Sequence, residues 1–245
     1  MSKPRLLDLF CGAGGCSVGY ARAGFEVVGV DQVDQPNYPF KFYQGNAMLV
    51  DDLLATGGFD AIHASPPCQA HSTIAKQRRA MNPGVYDEKH VDLVANTREM
   101  LREMGRPYVI ENVPGAPLES PIQLCGSSFG LDVRRHRLFE CSFDVMAPPC
   151  AHGMQAPRFR SLDKRRTGKV STVPVHGGNQ LASVVGVHGH HNYAGERELR
   201  EAAMQIDWMS PYELTQAIPP AYTEHIGSYL LAHINRDRTG EALPW

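Results

Sequence analysis

Apolar and polar positions alternate between two periods along the first 140 residues. Arg5 to Phe10 is a short apolar run ending at glycines, which predicts a strand. Ser17 to Ala23 has helical spacing and stops near Gly24. Phe25 to Asp31 is a β-branched run ending in an acid, and Lys41 to Gly45 reads as a short strand. Met48 to Ala55 reads as a helix stopped by Gly57-Gly58, and Phe59 to Ala64 as the next strand. Val91 to Gly105 offers Leu93, Val94, Met100, Leu101 and Met104 to one helical face. Pro107 to Glu111 is again a strand ending in an acid. Strands alternating with helices predict an α/β domain built on a doubly wound, mostly parallel, Rossmann-like sheet.

From about residue 141 to 196 the periods fade, and Gly, Pro, His and basic residues dominate. Three units follow: a main domain over 1–140, a small loop-rich lobe over 141–196, and a segment over 197–245 that returns to the main domain. In that last segment Glu196 to Met204 is helical. Ser210 caps a helix with Pro211 at its first position and Glu213 three residues after the cap. Ile218 to Tyr222 breaks it, and Thr223 to Asn235 forms a final helix.

The 245 residues are 42% hydrophobic and 20% charged, with a formal charge of −2. That is ordinary globular composition, and it excludes a polycation. Nucleic-acid contact would come from local patches: Lys76 to Arg79, Arg134 to Arg137, and Arg158 to Lys169. No stretch approaches a membrane span and the N-terminus leads directly into a strand, so the expected location is cytoplasmic, without membrane contact. The expected state is a monomer. The six cysteines read as reduced, and all but Cys68 as mostly buried thiols. The spacing of Cys141, Cys150, His152, His176, His188, His190 and His191 fits no regular tetrahedral scheme, so no metal is expected.

The candidate chemistry gathers at strand ends, where ligands of doubly wound sheets bind. Gly12-Ala13-Gly14-Gly15 permits close backbone approach to a ligand and opens a helix whose positive end faces it. Asp31, nineteen residues past Gly12, can take both hydroxyls of a ribose. A nucleoside cofactor fits, and a triphosphate does not, because no phosphate loop with lysine is present. Cys68 follows Pro66-Pro67, a step that turns out of the sheet and presents the thiol rather than packing it. A nearby arginine or helix end would lower its pKa and favour the nucleophilic thiolate. Glu111, in a partly dry site, would stay protonated and donate to a ring nitrogen. Arg135 and Arg137 share one side if locally extended.

These residues resemble the cytosine-C5 DNA methyltransferases. Asp8-Leu9-Phe10-Cys11-Gly12-Ala13-Gly14-Gly15, with Ser17, Gly19, Ala23, Gly24 and Phe25, is similar to the family's first motif, which binds S-adenosylmethionine. Pro67-Cys68-Gln69 with Ser72 is similar to the nucleophile motif, Glu111-Asn112-Val113 to the glutamate motif, and Arg135-His136-Arg137 to the arginine motif. Leu214 to Leu230 resembles the closing segment. The departures are Cys11 for alanine, Asp31 for glutamate, Asn46 for an acid, His71 for an aromatic and Val133 for glutamine.

The resemblance implies a covalent bond from Cys68 to carbon 6 of a flipped cytosine, which makes carbon 5 reactive. Glu111 would protonate N3, and Arg135 and Arg137 would steady thiolate and base. It implies cofactor contacts from Asp8, Phe10, Gly12, Gly14, Gly15, Asp31, Asn46 and Pro67. Double-stranded DNA would be the partner, contacted by Gln69, Ser72, Lys76, Arg78 and Arg79 on a lid spanning Gln69 to Tyr86. The short lobe implies a short target site. A tRNA cytosine methyltransferase and a catalytically silent DNA-binding relative remain open. Restriction–modification, phage self-protection and regulation all fit.

Overall fold

The computed structural model describes residues 2–50, 53, 57–71, 91–155 and 196–239. Seven strands form one sheet: β1 (Arg5–Leu9), β2 (Glu26–Asp31), β3 (Lys41–Gln44), β4 (Ala61–Ala64), β5 (Tyr108–Asn112), β6 (Ile122–Leu124) and β7 (Arg137–Cys141). Their order is β3-β2-β1-β4-β5-β7-β6, with β7 antiparallel to both its neighbours and the rest of the pairs parallel. The described helices are α1 (Gly15–Ala23), α2 (Val94–Glu103), α3 (Glu196–Met204), α4 (Pro211–Gln216) and α5 (Pro220–Thr239). Among the described residues no helix is long and apolar enough to cross a membrane.

The central strands are apolar on both faces because helices cover both, as parallel sheets require. Leu6, Val27, Ala61 and Val109 point into one core with α1 and α5 residues such as Tyr20, Tyr222 and Ile226. Leu7, Val28, Ile62 and Ile110 point into the other, with Leu101 of α2. Glycines let α5 lie close on α1: a Cβ on Gly19 would stand 2.2 Å from the Pro220 carbonyl oxygen, and one on Gly227 would stand 2.6 Å from the Ala23 Cβ. Thr223 Oγ donates to the Cys16 carbonyl at 2.8 Å, fixing the same contact. The chain after residue 196 is thus bound to the first helix of the sheet domain.

Arg135 to Arg137, expected to share one side if locally extended, lead into β7, which with β6 forms an antiparallel edge that sequence reasoning did not place. Their amphipathic signal is weak because β6 has only three residues. The last helix begins at Pro220, not Thr223, since proline is tolerated in a first helical turn. The predicted helix Met48–Ala55 largely falls outside the described residues, and its start is a turn in which Leu49 N–H donates to the Asn46 carbonyl. The capping box at Ser210 and Glu213 is formed as expected.

Candidate active site

Register places the candidate groups on one line. Leu9 pairs with Val30 and with Ala64, and Ala64 pairs with Ile110. One residue further along the chain come Asp31, Phe10, Ser65 and Glu111, side by side at the carboxyl edge. From β2 to β5 is three strand spacings, about 14 Å. Strand alternation adds a second constraint. Asp8, Asp31, His63, Ser65 and Glu111 share parity with the Leu6, Val27, Ala61 and Val109 set, so they lie on the α1–α5 face.

The β1–α1 turn is built for close approach. Phe10, Gly12 and Gly14 have φ of 57°, 48° and 86°. Phe10 is a non-glycine in the left-handed region, a strain of about 1 kcal/mol or more that clusters at ligand sites. A Cβ on Gly12 would meet nothing within 4 Å, so this glycine opens space. Gly14 and Gly15 differ: a Cβ on Gly14 would meet Tyr38 and Pro39 at 3.0 Å, and one on Gly15 would meet the Ile218 carbonyl oxygen at 2.5 Å. These two glycines serve packing of the turn against its neighbours. Asp31 holds the turn from β2, its carboxylate accepting from Gly12 N–H and from Val33 N–H, each at 3.0 Å. Asp8 lies beneath the turn, fully buried, and accepts from Ser17 Oγ, which also bonds Tyr38 Oη at 2.8 Å. Burial pushes the Asp8 carboxyl up to about 7. Asn46 is exposed one strand further out, with Oδ1 accepting from Met48 N–H at 2.9 Å.

The β4 end carries the thiol. Pro66 and Pro67 lead out of the strand into a 3₁₀ turn, Cys68–Ala70, with Pro67 capping at φ −49° and ψ 120°. Asn112 Nδ2 donates to the Pro66 carbonyl at 3.0 Å and ties this turn to β5. Cys68 is half-buried, and Gln69 beside it is exposed. The expectation of a lowered pKa is corrected. Arg137 and Arg135 do pull the thiol down, but burial, with help from Glu111, outweighs them and leaves it above the ordinary thiol value.

Glu111 and the arginines meet across β5 and β7. Glu111 pairs with Phe139, so Arg137, two residues back on the same face, is its diagonal neighbour. Arg137 Nε stands 3.1 Å from Glu111 Oε1. Burial raises the Glu111 carboxyl, against the pull of Arg137, Arg135 and a hydrogen bond from Ser65. Arg135 is buried; Nη2 donates to the Thr215 carbonyl at 2.7 Å, while Nε and Nη1 have no hydrogen-bond partner. Burial, then Arg137, lowers it to about 9. Tyr222 Oη donates to the Arg135 carbonyl at 2.6 Å. The C-terminal segment therefore positions this arginine.

Sequence reasoning missed a polar chain behind the carboxylate. Tyr20 Oη and His63 Nδ1 are 3.0 Å apart, and His63 Nε2 and Ser65 Oγ are 3.0 Å apart. Burial lowers His63 to about 3, so the ring is neutral. With Ser65 donating to Glu111, the consistent assignment has Tyr20 donating to Nδ1 and Nε2–H donating to Ser65. A lone buried histidine on a strand carries no such signal; its partners come from other elements.

Ser72, Lys76, Arg78 and Arg79, most of the expected lid, and the basic stretch Arg158 to Lys169 lie outside the described residues. The patch Arg134 to Arg137 is not a free basic surface. Arg134 donates to Gln155 Oε1 at 2.7 Å and to the His152 carbonyl at 3.1 Å, and Arg135 is buried.

Residues 4–118 match the C-5 cytosine-specific DNA methylase family. The type II methyltransferase M.XorII of Xanthomonas oryzae pv. oryzae is 30% identical over 131 residues, 47% of this chain and 29% of that protein. M.AgeI of Thalassovita gelatinovora is 30% identical over 126 residues, 45% of this chain and 28% of that protein. The chain thus spans under a third of the length of both curated relatives. Among solved structures, a protein described as a DNA modification methyltransferase encoded within an E. coli prophage superposes with a TM-score of 0.60 at 16% identity, covering 95% of this chain and 99% of that one. The S. pombe Dnmt2 methyltransferase superposes at 0.56 with 12% identity, covering 96% of this chain and 100% of that one. At such identities the two superpositions establish the fold alone.

Proposed function

We propose that this chain, whose residues 4–118 match the C-5 cytosine-specific DNA methylase family, transfers a methyl group from S-adenosylmethionine to carbon 5 of cytosine in double-stranded DNA through a covalent bond to Cys68. The observation that carries this reading is the single line of register joining Asp31, Phe10, Ser65 and Glu111, with Cys68 just beyond it. A donor held at the β1–β2 end and an acceptor base held at the β4–β5 end would then meet between them.

The residues of the turn fit the cofactor. Gly12 leaves space, Asp31 offers a half-buried carboxylate at a strand end, and Asn46 offers an amide just past the end of the next strand outward. Bound S-adenosylmethionine supplies an electrophilic methyl on a sulfonium. Asp31 would accept from the ribose hydroxyls, and Phe10, Gly12 and Pro67 would border the nucleoside. Cys68, as the thiolate, would add through Sγ to carbon 6, which moves electron density to carbon 5; carbon 5 would then take the methyl group, and the donor would leave as a neutral thioether. Glu111 donates a proton to N3 as the ring loses aromaticity. The two unpartnered donors of Arg135 suit a carbonyl oxygen of the base, and Arg137 holds Glu111 in place. Loss of the carbon 5 proton to water or a base then expels the Cys68 thiolate. The target base would have to leave the duplex, at a cost of a few kcal/mol.

Mapping of 5-methylcytosine in DNA from cells expressing the chain tests the reading. Methylated cytosines in a short recurring context are expected with the wild type and not with Cys68→Ser. Identical maps from the two overturn it, and methylation of tRNA alone would replace the substrate. A second expectation concerns the donor. Asp31→Asn removes the charge that takes two hydroxyls, so the KM for S-adenosylmethionine should rise about 10- to 100-fold, the range of one or two charge-assisted hydrogen bonds. An unchanged KM would place the ribose elsewhere.

A further inference from the structure

Four side chains that the chemistry above does not use converge at the rim of the sheet. They are Cys125, His136, Cys150 and His152, and one ligating atom from each lies within 4.8 Å of every other. Cys125 Sγ is 3.3 Å from His152 Nε2, and Cys150 Sγ is 3.4 Å from His136 Nε2. A tetrahedron with Zn–S of about 2.3 Å and Zn–N of about 2.0–2.1 Å has sulfur-to-nitrogen edges of about 3.5 Å. Two edges are therefore nearly in place. The two imidazole rings meet edge to face at 5.4 Å between centroids.

We propose that Cys125, His136, Cys150 and His152 bind a structural zinc ion. The proposal departs from the expectation of no metal, which grouped Cys141 with Cys150 and His152. The spacing was illegible because the ligands come from three separated stretches. Cys125 caps a 3₁₀ turn, His136 directly precedes β7, and Cys150 and His152 lie in the loop after β7. The site has a supporting shell. Ser127 Oγ lies 3.2 Å from Cys125 Sγ and accepts from Ala151 N–H at 3.1 Å. Ser128 Oγ donates to the Pro149 carbonyl at 2.9 Å, and Gln155 Nε2 donates to the Leu131 carbonyl at 2.8 Å. Two thiolates and two neutral imidazoles balance a divalent ion, and an S₂N₂ donor set with four protein ligands is the closed form typical of structural zinc.

The need for such a staple is visible in the chain. The loop after β7 leads toward residues 156–195, a stretch without the apolar periodicity that builds a core. Small segments lacking a core are stabilised by metals or disulfides. His136 also stands between Arg135 and Arg137. A metal there holds both arginines in register from the outside, while Tyr222 and Thr215 hold Arg135 from within.

Elemental analysis of the full chain, purified without chelator from zinc-supplemented cells, tests this. About one zinc per chain is expected, falling below about 0.1 in both Cys150→Ser and His152→Gln, and unchanged in Cys141→Ala, whose thiol lies outside the cluster. Cys150 is exposed, so its replacement leaves the apolar core untouched. As a measurement independent of the bacterial metal supply, chelated protein is titrated with cobalt(II). Wild type should develop the visible absorption of a tetrahedral cobalt thiolate, and Cys150→Ser should not. Wild type without zinc and without the cobalt spectrum overturns the site, as does full zinc retention by both ligand variants. A disulfide between Cys125 and Cys150 in the freshly purified protein would also overturn it.

Discussion

Replacing Cys68 with serine is expected to lower methyl transfer by at least about four orders of magnitude, which is about 5 kcal/mol or more in the barrier. The hydroxyl is a far weaker acid than the thiol, so serine supplies far less of the anion that attacks. Trapping separates this loss from misfolding. Wild type should form a denaturation-resistant complex with duplex DNA carrying 5-fluorocytosine, and Cys68→Ser should bind the same DNA without forming it. The pH profile carries the sign of the two shifted groups. Cys68 and Glu111 are both raised by burial, so the resting pair keeps protons longer than an exposed thiol and carboxylate would. On the proposed mechanism attack requires a thiolate and N3 requires a proton, so the competent enzyme would carry one proton between the two groups. Below the titration of Glu111 both are protonated and kcat/KM falls; above that of Cys68 neither is, and it falls again. Glu111→Gln removes the fall on the alkaline side and leaves the thiol alone to set the rise. Its residual activity, lower by about 10²- to 10⁴-fold, should rise with pH up to the titration of the thiol. A flat profile in Glu111→Gln, or a trapped complex from Cys68→Ser, would remove these two residues from the roles assigned to them.

What could be read from the chain follows from how local each signal is. Phe10 to Gly15, Asp31, Cys68 and Glu111 each sit at the end of a short apolar run, and strand ends in a parallel sheet share one edge whatever the rest of the fold does. Their convergence was legible for that reason. The two-residue period even fixes the common face of Asp31, Ser65 and Glu111, although only the paired register shows it. Three features were not legible. The roles of Gly14 and Gly15 depend on Tyr38 and Ile218, distant in sequence. The raised thiol reflects burial winning over two arginines, a balance that spacing cannot decide. The Cys125–His136–Cys150–His152 cluster is assembled by β7 turning back against the sheet, and a three-residue edge strand gives little warning of that.

The antiparallel edge depends on a buried ion pair, and removing its cation is expected to cost about 3–5 kcal/mol. Arg98 of α2 and Glu140 of β7 are 8% and 3% exposed. Nε and Nη2 of Arg98 meet the two carboxylate oxygens at 2.8 Å each, a bidentate fork. Nη2 also donates to the Pro117 carbonyl at 2.7 Å, and Glu140 accepts from Glu119 N–H at 2.8 Å. The hydrogen bonds to Glu140 hold the Arg98 guanidinium above its ordinary value, against the cost of burial. Arg98→Met keeps the apolar stem but leaves a buried carboxylate with only the Glu119 N–H and a long contact from the Tyr108 hydroxyl at 3.5 Å. In denaturant unfolding the midpoint should fall with the slope unchanged, the mark of lost stability rather than altered compactness. Arg98→Met combined with Glu140→Met should recover much of the loss, because the largest part of the cost is the uncompensated charge. A midpoint change worth under about 1 kcal/mol in the single variant would mean that the pair is not desolvated. The consequence reaches the active site through one residue of register. Glu140 pairs with Ile110, the neighbour of Glu111, and Arg137 lies three residues before Glu140 on the same strand. Slack in this pair therefore loosens the contact between Arg137 and Glu111, so folded Arg98→Met should lose kcat while its KM for the methyl donor, set at the far end of the sheet edge, stays unchanged.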